Sequence, residues 1–304
     1  MKANESSVTS LVSAFGRAYH SKHDTPKVFD DFFAEKLITE KEFADISENM
    51  IKGISFFNKE IAEKFKEQPE ESLKWITQVQ LSPTPLARAA YCEEVLAIEM
   101  RLGLQQYVIL GAGLDTFCFR HPELENSLEI YEMDHPATQA LKKSRLAQAD
   151  LEIPQNLHMI PVDFTKEFSF ESIQERGFQN KKTLFSLLGV TFYLTKEEIS
   201  RLFSELFTKV PEGSSIVFDY ADENLFKEKG FSNRVENMLK MTLAGGEPMK
   251  SCFSYHEIEK MLEDAGLLIY EHLSPTAINN RFFRHRTDYL RAFETVHYIH
   301  AVKK

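Results

Sequence analysis

The sequence has little cysteine and no long apolar run. Its three cysteines, Cys92, Cys118 and Cys252, are scattered and form no C-x-x-C pair, which gives no zinc site and fits a reducing interior. No apolar run approaches the ~18 residues of a membrane span. We therefore expect a cytoplasmic protein that does not contact membranes, and we predict no metal site.

An excess of positive charge is also lacking. The formal net charge is -10, whereas sequence-independent binding to nucleic acid or to an anionic membrane requires clustered Lys and Arg. The composition, with 43% hydrophobic and 27% charged residues, is that of a globular protein. We expect a small-molecule or protein substrate and no nucleic-acid partner. The sequence leaves the oligomeric state open.

The hydrophobic pattern divides the chain into two parts. Residues 1–105 place apolar side chains at helical spacing and contain no strand pattern. Residues 106–304 alternate short apolar runs with amphipathic helices, which is typical of an α/β protein with a mainly parallel sheet. The predicted strands are residues 107–110, 128–133, 157–162, 183–188, 214–220, 267–273 and 296–302, with the last two antiparallel.

The most informative stretch is residues 107–120, YVILGAGLDTFCFR. A short apolar run turns through Gly111, Ala112 and Gly113, as a strand leading into a helix would, and such a helix would present free N–H groups to a ligand. A dinucleotide fingerprint requires a third glycine where this chain has Thr116. The pattern favours S-adenosylmethionine over NAD, although the glycines alone also fit a plain tight turn.

Two acidic residues at the end of the next apolar run strengthen the cofactor interpretation. Asp134 ends the second predicted strand roughly 20 residues after the glycines, where ribose hydroxyls are usually bound. Glu132 lies on the same face of that strand, so it is a second candidate for the ribose or a supporting residue behind Asp134. Arg88 belongs to the helix that leads into the glycine turn and could pair with a cofactor carboxylate; like Arg17, it also fits a structural ion pair.

Several short motifs then occur in one order along the chain. Together they closely resemble the leucine carboxyl methyltransferase-like family of S-adenosylmethionine-dependent methyltransferases, in particular its bacterial small-molecule O-methyltransferase branch. The motifs are residues 17–19 (RAY), 29–31 (FDD), 87–91 (ARAAY), 108–116 (VILGAGLDT), 132–140 (EMDHPATQA) with Lys142, 161–164 (PVDF), 188–195 (LGVTFYLT) and 217–220 (VFDY).

The resemblance implies a fold. It would be a seven-stranded Rossmann-like class I methyltransferase sheet of order 3-2-1-4-5-7-6 with an N-terminal helical cap. Residues 1–105 would form the cap that covers the substrate, and residues 106–304 would form the domain that binds S-adenosylmethionine.

The resemblance also implies a set of cofactor contacts. Gly111 and Gly113 would lie under S-adenosylmethionine, and Asp134 would hold its ribose. Asp163 and Phe164 would receive its adenine, and Arg88 would pair with its methionine carboxylate. One departure is Phe117, which stands where the family usually has an arginine.

For the reaction, we expect methyl transfer to an oxygen of a small molecule, either a hydroxyl or a carboxylate. Tyr193 is the candidate catalytic residue beside the acceptor, although it also fits a packed aromatic residue with a satisfied hydroxyl. Asp219 and Tyr220, after the fifth strand, are further candidates near the acceptor. The basic cluster Arg281, Arg284, His285 and Arg286 is either an anion-binding loop or solvated surface. Alternative functions are methylation of a protein C-terminal leucine carboxylate and cofactor binding without catalysis.

Overall fold

A seven-stranded sheet of order 3-2-1-4-5-7-6 forms the centre of the computed structural model, which describes residues 7–166 and 170–304. The strands are β1 (Gln106–Leu110), β2 (Glu129–Asp134), β3 (Leu157–Pro161), β4 (Thr183–Leu187), β5 (Ser215–Ala221), β6 (Leu267–Leu273) and β7 (Val296–Lys303). The first five strands pair in parallel, whereas β7 pairs antiparallel with β5 and β6. The predicted fold and strand order are confirmed.

The central strands β1, β4 and β5 form apolar runs because the sheet is covered on both faces there. All five residues of β1 are buried. Tyr107 and Ile109 belong to a hydrophobic cluster on one face, whereas Val108 and Leu110 belong to the cluster on the other. This two-sided burial is the rule for parallel sheets.

Helices surround the sheet. They are α1 (Val8–His23), α2 (Glu40–Lys52), α3 (Ile54–Phe57), α4 (Lys59–Lys64), α5 (Pro69–Ile76), α6 (Pro83–Arg101), α7 (Phe117–Arg120), α8 (Pro136–Gln148), α9 (Glu171–Gln174), α10 (Lys196–Thr208), α11 (Arg234–Ala244), α12 (Tyr255–Asp264) and α13 (Pro275–Ile278). Short 3-10 and π-helical turns occur at Ala34–Leu37, Thr77–Leu81, Pro122–Leu124, Thr191–Tyr193, Phe231–Asn233 and Asn279–Phe283.

Local sequence determines where several helices begin and end. Thr195 and Ser254 form capping boxes at the start of α10 and α12, as their sequences indicate. The apolar stripe over residues 42–66, in contrast, is divided into α2, α3 and α4. Gly53 ends the first of these helices, and the extended backbone of Asn58 separates the other two.

The N-terminal helices share a core with the sheet. The cluster that contains Phe15 and Tyr91 also contains Val217 of β5 and Tyr298 of β7. The rings of Tyr91 and Tyr298 stack with their centroids 5.8 Å apart. Helix α6 therefore packs on the sheet, and the chain then turns through Gly103, at a φ of +88°, before it enters β1. In the described residues, no helix is long and apolar enough to cross a bilayer.

Candidate cofactor and active site

A cavity of ≈ 290 Å³ lies at the carboxyl ends of the parallel strands. This is where α/β proteins of this type bind ligands. The predicted site residues among its lining are Arg88, Gly111, Ala112, Gly113, Asp134, Asp163, Phe164 and Tyr193. Arg17 and the first residues of α1 also line it, so the N-terminal part of the chain contributes directly to the cavity wall.

The glycine turn is tightly enclosed by other parts of the chain. Gly111 and Gly113 have φ angles of +74° and +53°, in the left-handed region. A Cβ on Gly111 would collide with the Val190 side chain, and one on Gly113 would lie 2.5 Å from Ser10 Oγ. The absence of both side chains thus makes room for Val190 and Ser10 to pack against the turn.

The helix after the turn differs from the prediction. It is a single turn that begins only at Phe117, and the Phe117 N–H donates to Asp115 Oδ1 at 2.7 Å. The expectation of a helix that presents free N–H groups directly after the glycines was therefore wrong. Phe117 itself is 2% exposed and packs edge-on against Tyr107, with 5.2 Å between ring centroids. At this position the chain has a core aromatic residue.

Asp134 joins the glycine turn to the end of β2. Its two carboxylate oxygens accept from the Gly113 and His135 N–H groups, and burial raises the pKa of Asp134 above its ordinary value. Each oxygen keeps a further lone pair for a ligand hydroxyl. Glu132 is 1% exposed and lies outside the cavity lining. It pairs instead with Lys142 of α8, whose Nζ is 2.5 Å from Glu132 Oε2.

Asp163 and Phe164 follow β3 at the same edge of the sheet. Asp163 Oδ1 accepts from the backbone and the side chain of Thr165, and Asp163 Oδ2 lies 3.2 Å from Lys166 Nζ. Burial disfavours the charged form of Asp163, but the hydrogen bonds from Thr165 and the charge of Lys166 outweigh it, so the pKa of Asp163 is lowered. Asp163 therefore stays a hydrogen-bond acceptor at neutral pH.

Arg88 reaches the cavity alongside a glycine. Its Nη1 donates to Asp219 Oδ2 at 3.0 Å, while Asp219 Oδ1 accepts from the Gly189 N–H at 2.6 Å. Gly189, at a φ of +72°, leaves no room for a Cβ because the Arg88 guanidinium occupies that space. The fully buried Asp219 thus fixes the direction of Arg88.

Two residues that were predicted near the acceptor lie behind the cavity wall. Neither Asp219 nor Tyr220 is part of the lining. Asp219 accepts a hydrogen bond from Arg88, as described above. Tyr220, its neighbour along β5, belongs to the hydrophobic cluster on the other face of the sheet, and its hydroxyl lies 3.3 Å from His272 Nε2. Successive side chains of a strand point to opposite faces, which separates these two residues.

Residues 7–13 and 247–250 meet at the cavity wall, and we call these two segments the roof. Glu247 Oε2 accepts from Thr9 Oγ1 at 2.5 Å and from Ser7 Oγ at 3.2 Å. Ser10 Oγ is buried and has no hydrogen-bond partner among the described residues. Tyr193 also lines the cavity, and burial raises the pKa of Tyr193 to about 12.

Sequence reasoning did not assign several cavity residues. Asp31 accepts from Arg17 Nε at 2.8 Å and from Thr116 Oγ1 at 2.5 Å, and its carboxylate lies 3.6 Å from Arg120 Nε. The RAY and FDD motifs include Arg17 and Asp31, so the family resemblance could have indicated these two residues as part of the site. No local pattern indicates Glu247.

The predicted basic cluster lies outside the cavity lining. Arg281 pairs with Glu94 and Glu271, and Arg286 pairs with Asp288. These contacts favour the interpretation of the cluster as surface over that of an anion-binding loop in the cavity. Within residues 7–166 and 170–304, no group of three or more His, Cys, Asp or Glu side chains is arranged for a metal ion.

The cavity fits an adenosyl sulfonium compound. The turn of residues 111–113 lines the cavity, and Asp134 offers acceptor positions. The orphaned Ser10 Oγ offers a further polar contact. Arg88, held by Asp219, is suited to a carboxylate such as that of methionine.

Known proteins resemble this chain over most of its length. The sequence model of the family described as leucine carboxyl methyltransferase matches residues 10–207. A protein of Bacillus subtilis (strain 168), named "Putative S-adenosyl-L-methionine-dependent methyltransferase YktD", is 67% identical over 304 residues, which cover 100% of both chains. The crystal structure of a DUF574 family protein from Streptomyces avermitilis covers 99% of both chains with a TM-score of 0.58 at 12% identity, which shows a shared fold.

The family match extends from α1 through α10 and thus includes the glycine turn, Asp134, Asp163 and Tyr193. The relative from Bacillus subtilis matches the complete chain. The predicted family and cofactor are thereby confirmed. The chain belongs to the leucine carboxyl methyltransferase family and is an S-adenosylmethionine-dependent methyltransferase.

Proposed function

We propose that the protein methylates an oxygen of a small molecule, with the cavity as the site of both cofactor and acceptor. One observation is central to this proposal. The glycine turn, Asp134, Arg88 and Tyr193 come from separate segments of the chain and all line the same cavity. A cavity of ≈ 290 Å³ suits a small acceptor better than a polypeptide.

The proposed cofactor contacts follow from the chemistry of the lining. The backbone of residues 111–113 would lie under S-adenosylmethionine, and Asp134 would accept from its ribose hydroxyls. Asp163 would accept from the adenine amine, and Phe164 would cover the adenine face. Arg88 would pair with the methionine carboxylate.

Two buried carboxylates would support these contacts without touching the cofactor. Asp219 would hold the Arg88 guanidinium from the side away from the ligand. Glu132, bound to Lys142 outside the lining, would support Asp134 from within the same strand. Both carboxylates would thus fix the geometry of the residues in front of them.

The protein's main contribution would be alignment. When bound, the cofactor supplies a methyl group already activated as a sulfonium. Holding donor and acceptor at near-attack distance can lower the barrier by roughly 7 to 11 kcal/mol, and no covalent nucleophile is required. The roof would limit the entry of water, which strengthens the electrostatic contacts within the cavity.

Calorimetric titration with S-adenosylhomocysteine tests the cofactor site. We expect micromolar or tighter binding that is lost when Asp134 is replaced by Ala. Absence of binding at high micromolar ligand would refute the proposal. Tight binding without methyl transfer to any compound in a metabolite extract would instead favour the alternative of a cofactor-binding module without catalysis.

A second candidate is methylation of a protein C-terminal leucine carboxylate, which the description of the matching family favours. An extended chain end would have to enter between the two segments of the roof. Transfer of labelled methyl from S-adenosylmethionine to peptides ending in leucine, compared with the same peptides amidated at the C-terminus, separates the two functions. Label only on the free-acid peptides, and none on small molecules, would establish this second function.

A further inference from the structure

A buried carboxylate in the N-terminal part of the chain is bonded to the segment that follows the glycine turn. Asp31 is 1% exposed, and its Oδ1 accepts from the Thr116 hydroxyl at 2.5 Å. Because a carboxylate can only accept, the Thr116 proton lies on this bond. The Thr116 oxygen in turn accepts from Arg120 Nε at 3.0 Å. The Thr116 hydroxyl is therefore used within the protein both as a donor and as an acceptor.

Asp31 also orients an arginine of α1 that contacts the same segment. Asp31 Oδ2 accepts from Arg17 Nε at 2.8 Å, and Arg17 Nη2 donates to the Leu114 carbonyl at 2.7 Å. Arg17 Nη1 donates to Ser13 Oγ at 3.0 Å within α1. The segment of residues 114–116 is thus connected to Asp31 twice, once directly and once through Arg17.

The negative charge of Asp31 is maintained although the side chain is buried. Burial disfavours the charged form, but the charges of Arg17 and Arg120 and the hydrogen bond from Thr116 outweigh it, so the pKa of Asp31 is lowered. Asp31 borders the cavity, but its oxygens face these protein donors and only 1% of the residue is exposed. It therefore acts on the turn rather than on a ligand.

The glycine turn is held from two sides. On one side, the Gly113 N–H donates to Asp134 at the end of β2. On the other side, the next residue, Leu114, accepts from Arg17, and Thr116 donates to Asp31. Residues 111–115 line the cavity, whereas Thr116 is not part of the lining. Thr116 stands where a dinucleotide fingerprint requires a glycine, and a glycine there would lack the hydroxyl that binds Asp31.

We propose that Asp31, acting through Thr116 and Arg17, holds the glycine turn in the conformation that binds S-adenosylmethionine. The N-terminal part of the chain is then a component of the cofactor site, in addition to its expected role beside the acceptor. This inference rests on the proposed function, which places the cofactor on the turn. Asp31 and Thr116 are positioning residues.

Calorimetric titration with S-adenosylhomocysteine tests the effect on cofactor binding. We expect Thr116→Val to weaken binding at least tenfold, and Thr116→Ser, which keeps the hydroxyl, to bind within threefold of the parent protein. Because Thr116 is not part of the cavity lining, a loss of affinity in Thr116→Val is transmitted through the turn. Unchanged affinity in Thr116→Val, or an equal loss in Thr116→Ser, would overturn the inference.

Asp24 provides a matched control for Asp31. It is another buried carboxylate of the N-terminal part, 3% exposed and bonded to His20 and Gln78, but it does not line the cavity. We expect Asp31→Asn to weaken S-adenosylhomocysteine binding at least tenfold and Asp24→Asn to leave it within threefold. Urea denaturation establishes that each variant is folded, and Thr116→Val decides the question if Asp31→Asn does not fold. Equal losses in the two Asn variants would count against the inference.

Hydrogen exchange in the unliganded protein, followed by mass spectrometry, separates positioning of the turn from a general loss of stability. We expect the amide hydrogens of residues 113–117 to exchange faster in Thr116→Val than in the parent protein. Their increase should be at least fivefold greater than that of residues 215–221 in β5. An equal increase in both segments would show that the Asp31 contacts only stabilise the fold, and the inference would fail.

The parent protein separates this inference from the proposed function. If the parent protein does not bind S-adenosylhomocysteine, the proposed function and this inference both fail. If the parent protein binds it and Thr116→Val binds it equally well, only this inference fails.

Discussion

The ammonium of Lys142 in α8 lies 2.5 Å from the carboxylate of Glu132 in β2, and each side chain is 1% exposed. Glu132 is two residues before Asp134, the carboxylate at the cavity wall. Burial raises the pKa of Glu132, since desolvation disfavours its charged form, while the charge of Lys142 opposes that shift. The charged form of Glu132 is therefore stabilised by Lys142 and would be disfavoured without it.

Replacing Lys142 by Met removes one partner and leaves Glu132 buried without a counter-charge. We expect the free energy of unfolding at pH 8, measured by urea denaturation, to fall by about 3 kcal/mol. The exposed neighbour Lys143 provides the control, and Lys143→Met should change stability by less than about 0.5 kcal/mol. Equal effects of the two substitutions would contradict the importance of the pair.

The stability of the Lys142→Met variant should depend on pH in a defined direction. Without Lys142, the folded-state pKa of Glu132 rises further above the unfolded value, so the folded state binds the proton more tightly. Stability lost at pH 8 is then regained as the pH falls toward 5. A loss that is larger at pH 5 than at pH 8 would show that this sign is wrong.

Comparing alanine substitutions at Gly111 and Gly103 distinguishes the effect of backbone strain from that of a steric collision. Both have positive φ, but a Cβ on Gly103 meets nothing within 4 Å, whereas one on Gly111 collides with Val190. We expect Gly103→Ala to destabilise the protein by about 1 kcal/mol and Gly111→Ala by about 2 kcal/mol or more. Adding Val190→Ala to Gly111→Ala should recover the difference. Calorimetric melting measures the stability of each variant. Equal losses in Gly103→Ala and Gly111→Ala would contradict the collision with Val190.

Arg88 and Arg281 are both ion-paired arginines, but only Arg88 lines the cavity. We expect Arg88→Ala to weaken S-adenosylhomocysteine binding at least tenfold, about 1.4 kcal/mol, because a paired carboxylate is lost. Arg281→Ala should bind within twofold of the parent protein. Titration calorimetry compares them, and unchanged affinity in Arg88→Ala would remove this residue from the cofactor site.

A stacked histidine pair should make the protein sensitive to acid. The rings of His272 and His297 stack at 12°, and His297 Nε2 lies 3.2 Å from Asp222 Oδ2. Burial, followed by the charge of His297, lowers the pKa of His272 to about 4, so the unfolded chain takes up a proton first as the pH falls below 6.5. Because His272 is half-exposed, we expect a loss of only about 1 kcal/mol between pH 7 and pH 5.

His272→Gln should remove most of that acid-dependent loss, as measured by urea denaturation at both pH values. The matched control is His256→Gln, at an exposed position of α12, which should leave the loss unchanged. If both variants lose as much stability as the parent protein on acidification, the histidine pair is not the cause.

The sequence predicted those parts of the molecule that local patterns determine. The apolar runs located the strands because each strand of the parallel sheet is covered on two faces, and the capping boxes at Thr195 and Ser254 located two helix starts. The position of Asp134 at the end of its strand placed it at the same sheet edge as Gly113. All of these features depend on residues close together in the sequence or on the regular geometry of a sheet.

Contacts between distant segments could not be predicted in this way. Glu247 accepts a hydrogen bond from Thr9 across 238 positions, from an irregular segment with no periodic pattern. Arg281 belongs to a conspicuous basic run, yet its partners lie in other elements. Glu132 shares a strand face with Asp134, but a lysine binds its carboxylate in the interior. In each case a partner chosen by tertiary packing decides the role of a charged side chain.

The roof joins α1 to an irregular segment that lies 238 positions later along the chain. During synthesis on the ribosome, the glycine turn and the first strands emerge long before Glu247, so a nascent chain has the floor of the pocket but no cover. The pocket can close only after the segment around Glu247 has been made and has packed against α1. The cavity wall is therefore complete only once that late segment is in place.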